Sequence, residues 1–151
     1  MIVGSPFLSF VSDRVLRSRK KVLLICSVLM VFLTAVLAFF PGSMSLPLLY
    51  LFFFVLSLCS SSIVVIGFTS AKELFPVAIA GTSMGAINFF PFLGGAVMQP
   101  LFGWALVFKS PSGQPYPVAD VYGRAFTLMF ASAVIALICA LLTEETLKKA
   151  D

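Results

Sequence analysis

Four long stretches, residues 22–40, 48–70, 81–108 and 125–143, carry no charged side chain; all the charges of this 151-residue chain lie between or outside them. A helix rises about 1.5 Å per residue, so roughly 20 residues cross a hydrocarbon core of about 30 Å. Each stretch is long enough to span a bilayer, and little chain is left over for a soluble domain. The runs are continuous rather than alternating and too long for tilted strands, which argues for helices over a transmembrane barrel.

Composition points the same way. Apolar residues make up 60% of the chain and charged residues 11%, with a mean hydropathy of +1.11; soluble domains are roughly a quarter charged. Cys26, Cys59 and Cys139 each fall within an apolar run, are odd in number and match no metal-ligand spacing, so they read as small lipid- or core-facing residues. There is no histidine, hence no imidazole to shuttle protons or bind metal.

The loops orient the chain. Arg14, Arg17, Arg19, Lys20 and Lys21 precede the first span, and four crossings put them on the same side as Lys72, Lys148 and Lys149; the other side has only Lys109 and Arg124. Cytoplasmic loops carry the Lys/Arg excess, so the basic side, with both termini, is expected in the cytoplasm, as in a multi-pass protein of a bacterial inner membrane. A basic run beside a span reads as an orientation signal rather than a nucleic-acid site. Pro41–Pro47 reads as a tight outer turn in which Ser45 can cap the second helix, with Pro47 in its first turn. Residues 110–117 form a breaker-rich outer loop. Residues 1–12 are apolar but too short to cross, and their basic residues follow instead of preceding, unlike a secretory signal; they read as the cytoplasmic end of a helix whose outer half is missing.

Polar residues separate the spans. The first carries only Ser27 and Thr34, and the last only Thr127 and Ser132, apart from its boundary Thr143, whereas the second gathers Ser57, Cys59, Ser60, Ser61 and Ser62 near its middle. In the third, Gly81, Gly85, Asn88, Phe92, Gly95, Gln99 and Gly103 recur every three or four residues and form one helical stripe. Such a stripe suits close helix packing with an amide hydrogen bond, or a face on a water-filled substrate cavity. Two plain spans around two polar ones favour the cavity. Pro91 and Pro100 interrupt the same helix and predict a bend. Every acidic residue lies in a loop or at an end, so no mid-membrane carboxylate is available for proton coupling. Neither a nucleophile–base pair, a metal cluster nor a phosphate-cradling loop is present, so neither an enzyme nor a cofactor is expected.

Two loops carry a family likeness. Ser9 to Lys20 (SFVSDRVLRSRK) is similar to the cytoplasmic signature Gly-x-x-x-Asp-Arg-x-Gly-Arg-Arg, keeping Asp13, Arg14 and Arg17 but placing Ser9 and Leu16 at the glycines. Lys72 to Thr82 (KELFPVAIAGT) is similar to a Glu-x-x-Pro…Arg-Gly-Thr loop, keeping Glu73, Pro76 and Gly81, with Ala80 at the arginine, so an ion pair from Glu73 to that position is lost. In this order and spacing they make the whole chain resemble the C-terminal third of a major facilitator superfamily transporter. The resemblance implies an all-α integral membrane fold of four transmembrane helices, helices nine to twelve of the family's twelve, with residues 1–12 ending helix eight and residues 1–151 a partial C-terminal domain. It implies alternating-access transport of a small-molecule substrate across the lipid bilayer. Asn88, Gln99, Ser60 and Ser61 are then cavity-lining candidates, Asp13, Arg14 and Arg17 a cytoplasmic gating loop, and Glu73, Pro76 and Gly81 the loop between helices ten and eleven. Asp13 would meet the positive end of the family's helix five. The missing N-terminal helices are the implied partner, and the 151 residues alone are expected not to transport. Two other classes fit the helix count: a small four-helix exporter working as a dimer, which resembles known ones but lacks their embedded first-helix glutamate, and a non-transporting assembly partner packing through the glycine stripe.

Overall fold

The structure is a computed structural model that describes residues 10, 14, 17–107 and 116–146, with no description of the Ser62 side chain. Residues 1–9, Asp13 and most of the 110–117 loop, on which the truncated helix, the Asp13 gate and the extended outer loop were placed, lie outside it, as do Lys148 and Lys149. Four helices, α1 (Arg19–Phe39), α2 (Leu46–Leu74), α3 (Ala80–Ala105) and α4 (Val118–Leu142), follow one another with no strand among the described residues. All four are long and apolar enough to cross a membrane.

Each helix starts before its charge-free stretch, and α2 also ends after its own, because polar end turns belong to the helix but not to the hydrocarbon. The longest extension is in α4, which starts at Val118 behind Pro117, seven residues before the apolar run, and so includes Asp120 and Arg124. Asp120 sits in the first turn, where the helix dipole favours an anion. α1 is entered sharply: Arg17 has φ 43°, a left-handed conformation, and Ser18 then caps the helix by accepting from the Lys21 N–H at 3.1 Å. α2 starts at Ser45 with a proline in its first turn, but the Ser45 hydroxyl makes no capping bond, so the expected cap is positional only. α3 continues through Pro91 and Pro100 as one helix; each proline lacks the N–H that the carbonyl four residues back, Ile87 or Ala96, would otherwise accept from.

Lipid tails are as apolar as leucine, so helices in a bilayer associate through close packing rather than through escape from water. The most extensive contact is between α1 and α4, and α4 makes it with small side chains: Val121, Gly123, Ala125, Ala133 and Ala140 are its buried residues. Gly123 is the tight point, where an added Cβ would meet the Pro41 ring at 3.3 Å and the Ala38 carbonyl at 3.4 Å. Phe39 packs edge-on to Phe130, centroids 5.6 Å apart. α1 meets α2 through Val22, Cys26, Cys59 and Ile66 at one level and Leu33, Leu37 and Leu56 at another. α2 touches α3 and α3 touches α4, closing a ring in which α3 is the loosest member.

Several hydroxyls inside the spans are satisfied locally. Thr34, Ser61, Thr127 and Ser132 donate to the carbonyls of Met30, Ser57, Gly123 and Leu128, each four residues back, at 2.7–2.9 Å. This back-bonding lets a polar side chain sit in a low-dielectric region without a distant partner. Trp104, Tyr50 and Tyr122 are exposed at the end away from Arg19, consistent with an aromatic belt at a membrane boundary.

Candidate functional site

An up-and-down bundle brings the start of α1, the end of α2 and the segment after α4 to one end, and charged residues meet there. The Arg19 guanidinium donates to Glu73 Oε1 at 3.1 Å, with the two side chains 10% and 25% exposed. Thr146 Oγ1 donates to Glu73 Oε2 at 2.8 Å and lies 3.2 Å from Ser70 Oγ. The Glu145 carboxylate accepts from the Arg19 backbone N–H at 2.9 Å and from the Ser18 hydroxyl. Arg19 at a helix start and Glu73 near a helix end each oppose their own helix dipole, and pairing offsets both penalties. Glu145, by contrast, sits at the N-terminus of α1, where a carboxylate is favoured and the first N–H groups lack intrahelical acceptors. One clasp thus joins three chain segments.

Of the residues expected in the cytoplasmic loops, Glu73 belongs to this clasp. The lost partner at position 80 is replaced from another helix, by Arg19. Pro76 caps a short 3-10 turn, Val77–Ile79, that leads into α3, and Gly81 lies exposed in the first turn of that helix. Arg14 rests 5.8 Å over the Phe10 ring and Arg17 is exposed; neither is part of the clasp as described. Nothing in the sequence singled out Ser18, Arg19, Glu145 or Thr146. The available signal was topological: four crossings put Arg19, Glu73 and Glu145 on one side, and Glu73 had lost its usual arginine.

The four cavity candidates do not converge. Asn88 lines an open recess of about 420 Å³ with Phe68, Met84 and Gly85, between α2 and α3. Ser60 is exposed and lines a different, open recess bordered by all four helices. Ser61 is buried and bonded to its own helix, and Gln99 is exposed farther along α3. Along the α3 stripe, a Cβ added at Gly81, Gly85, Gly95 or Gly103 would meet nothing within 4 Å. The stripe is open rather than packed on another helix of this chain.

At the other end, Arg124 donates to the Val107 carbonyl at 3.1 Å and lies 4.6 Å over the Tyr116 ring, tying together the described ends of the loop between α3 and α4. Among the described residues, no three His, Cys, Asp or Glu side chains gather as metal ligands. The arrangement combines a clasped polar end, a closely packed pair of helices, α1 and α4, and a polar helix face left open.

Compared with known families, residues 1–151 match the sequence model of the Major Facilitator Superfamily over their whole length. No curated protein and no solved structure matches the chain.

Proposed function

Because the chain belongs to the Major Facilitator Superfamily, a family of membrane transporters, we propose that it is the C-terminal part of a secondary carrier that moves a small solute by alternating access. Residues 1–151 then form a partial domain, with α1 to α4 as the last four helices, and both termini lie in the cytoplasm of a bacterial inner membrane. The single observation that carries this reading is the open α3 stripe. Asn88 and Gln99 are exposed on a span with two prolines and four unfilled glycine positions. Bare amides facing lipid are unfavourable, so the stripe calls for further helices of the transporter across a hydrated cavity.

In this reading Asn88 and Gln99 contact substrate, and Asp13, Arg14 and Arg17 gate the cytoplasmic side. Glu73, Pro76 and Gly81 set the entry into α3. The Arg19–Glu73–Glu145 clasp holds the cytoplasmic ends of α1, α2 and the segment after α4, so these elements rock as one body. The basic residues on the clasped side support the cytoplasmic orientation.

A photo-crosslinking amino acid at Asn88, in membranes of cells that make the protein natively, tests this. The expected product is a crosslink to transporter helices outside residues 1–151. A product of twice the chain mass would overturn the reading in favour of a dimeric four-helix exporter, a crosslink to an unrelated protein in favour of an assembly partner, and lipid adducts alone would remove the cavity.

A further inference from the structure

Cys26 on α1 and Cys59 on α2 lie far apart in the sequence and meet in the fold. Both are thiols, 4% and 5% exposed, and they are hydrogen-bonded to one another across the helix contact. Helix periodicity puts them there. Val22 and Cys26 are four residues apart on α1, and Cys59 and Ile66 are seven apart on α2, so each pair shares a face and the two faces form one buried cluster. Every other residue of that cluster is apolar. Lys21, the nearest charge along either helix, is exposed and lies about 140° round α1 from Cys26. Cys139, on α4, is exposed and outside the cluster.

Two neighbouring sulfur nucleophiles in an apolar, uncharged setting favour chemistry that keeps every species neutral. A thiolate, which aqueous disulfide exchange requires, is costly in such surroundings. Two thiolates on a monovalent soft cation would leave a net charge buried, and structural zinc takes four ligands where this cluster has two thiols. A divalent ion on two thiolates is neutral but, when two-coordinate, prefers its sulfurs on opposite sides. Trivalent arsenic meets both demands. Its hydroxides are uncharged at neutral pH, and its pyramidal centre holds two sulfurs side by side, as the hydrogen-bonded thiols already are. Met30 packs against the thiol cluster and also lines the open recess bordered by all four helices, so a small guest reaches the thiols by displacing that flexible side chain.

We propose that Cys26 and Cys59 form a two-thiol site for an uncharged trivalent arsenic compound, bound through one As–S bond to each helix. With arsenous acid, two S–H and two As–O bonds break, and two As–S bonds and two water molecules form; no electron is exchanged and no charge is created. The occupied site joins α1 covalently to α2, deeper in the bundle than the ion pair of Arg19 with Glu73. It does not depend on the transport reading, since both thiols belong to this chain.

Phenylarsine oxide, an uncharged dithiol reagent whose oxygen leaves as water, tests the site on the full chain in nanodiscs. Intact mass spectrometry counts the adducts, and alkylation in denaturant followed by peptide mapping shows which cysteines they protect. The expected result is one phenylarsenic per chain, protecting Cys26 and Cys59 while Cys139 is alkylated, and removed by 2,3-dimercaptopropanol but not by the monothiol mercaptoethanol. Cys26→Ala and Cys59→Ala should each lower adduct yield at least tenfold, and Cys139→Ala should leave it unchanged. Absence of an adduct on the folded wild-type chain, protection of Cys139, a disulfide between Cys26 and Cys59 in place of the adduct, or full yield in either Cys26→Ala or Cys59→Ala would overturn the assignment. If an alanine variant does not fold, the wild-type protection pattern decides by itself.

Discussion

Helices α3 and α4 both carry small residues along one face, yet those faces have opposite fates. On α4, Gly123, Ala125, Ala133 and Ala140 are buried, and Gly123 lies against Pro41 and the Ala38 carbonyl at the end of α1. On α3, four glycines of the stripe meet nothing. In the most apolar 18-residue stretch of α4, 17% of residues are buried, against 6% in the corresponding stretch of Val77–Ala105. Small residues permit close approach, but they do not say which helix approaches. What separates the two faces is the company they keep: α4's small residues are flanked by apolar ones, whereas α3's alternate with two amides and two prolines.

This contrast can be broken by substitutions matched across the two regions and read by thermal unfolding in detergent. Leu37→Ala, at a fully buried position between α1 and α2, should destabilise by about 2–5 kcal/mol, whereas Phe92→Ala, 72% exposed on α3, should change stability by no more than about 0.5 kcal/mol. Equal losses would mean that α3 is packed within the chain after all. Next in size, Gly123→Leu forces a side chain into the α1 contact and should cost about 1–3 kcal/mol; Gly95→Leu should lose nothing, since its surroundings are open.

The clasp makes a smaller difference. Glu73→Ala removes a quarter-exposed carboxylate that accepts from the buried Arg19 and should cost about 1–2 kcal/mol, the figure for a charged hydrogen bond reduced for solvent screening at Glu73. Lys72→Ala, exposed one residue earlier, should be silent. Smallest is the pair of caps: Ser18→Ala should cost about 1 kcal/mol and Ser45→Ala close to nothing, because only the Ser18 hydroxyl accepts an N–H of its helix. If Ser45→Ala were the more damaging of the two, the described start of α2 would be wrong.

The helices themselves were legible because membrane spans obey one dominant rule, an apolar run of sufficient length. Boundaries were less so: Asp120 and Arg124 interrupt the hydropathy of α4 without interrupting its hydrogen bonding. The candidate site was legible only in part. The spacing of Asn88 and Gln99 along α3 marks a face, and the structure leaves that face open. Ser60 and Ser61 looked like a polar patch by composition, but adjacent helical residues point about 100° apart. Ser60 is exposed on an open recess, and Ser61 is buried and held by the Ser57 carbonyl. Arg19 was indistinguishable from four neighbouring cations, because its burial depends on where the ends of α2 and α4 arrive. Pair contacts between distant segments leave no periodic trace in a sequence.

The central claim is that the α3 stripe borders water in the assembled transporter while the α4 face is sealed. The most direct measurement replaces Cys26, Cys59 and Cys139 by alanine and introduces single cysteines at Asn88, Gln99 and Ala133. Native membranes are then treated with a hydrophilic maleimide. Labelling at positions 88 and 99 with none at 133 is the predicted result. Protection at 88 and 99 equal to that at 133 would contradict the claim and make the stripe a dry packing surface.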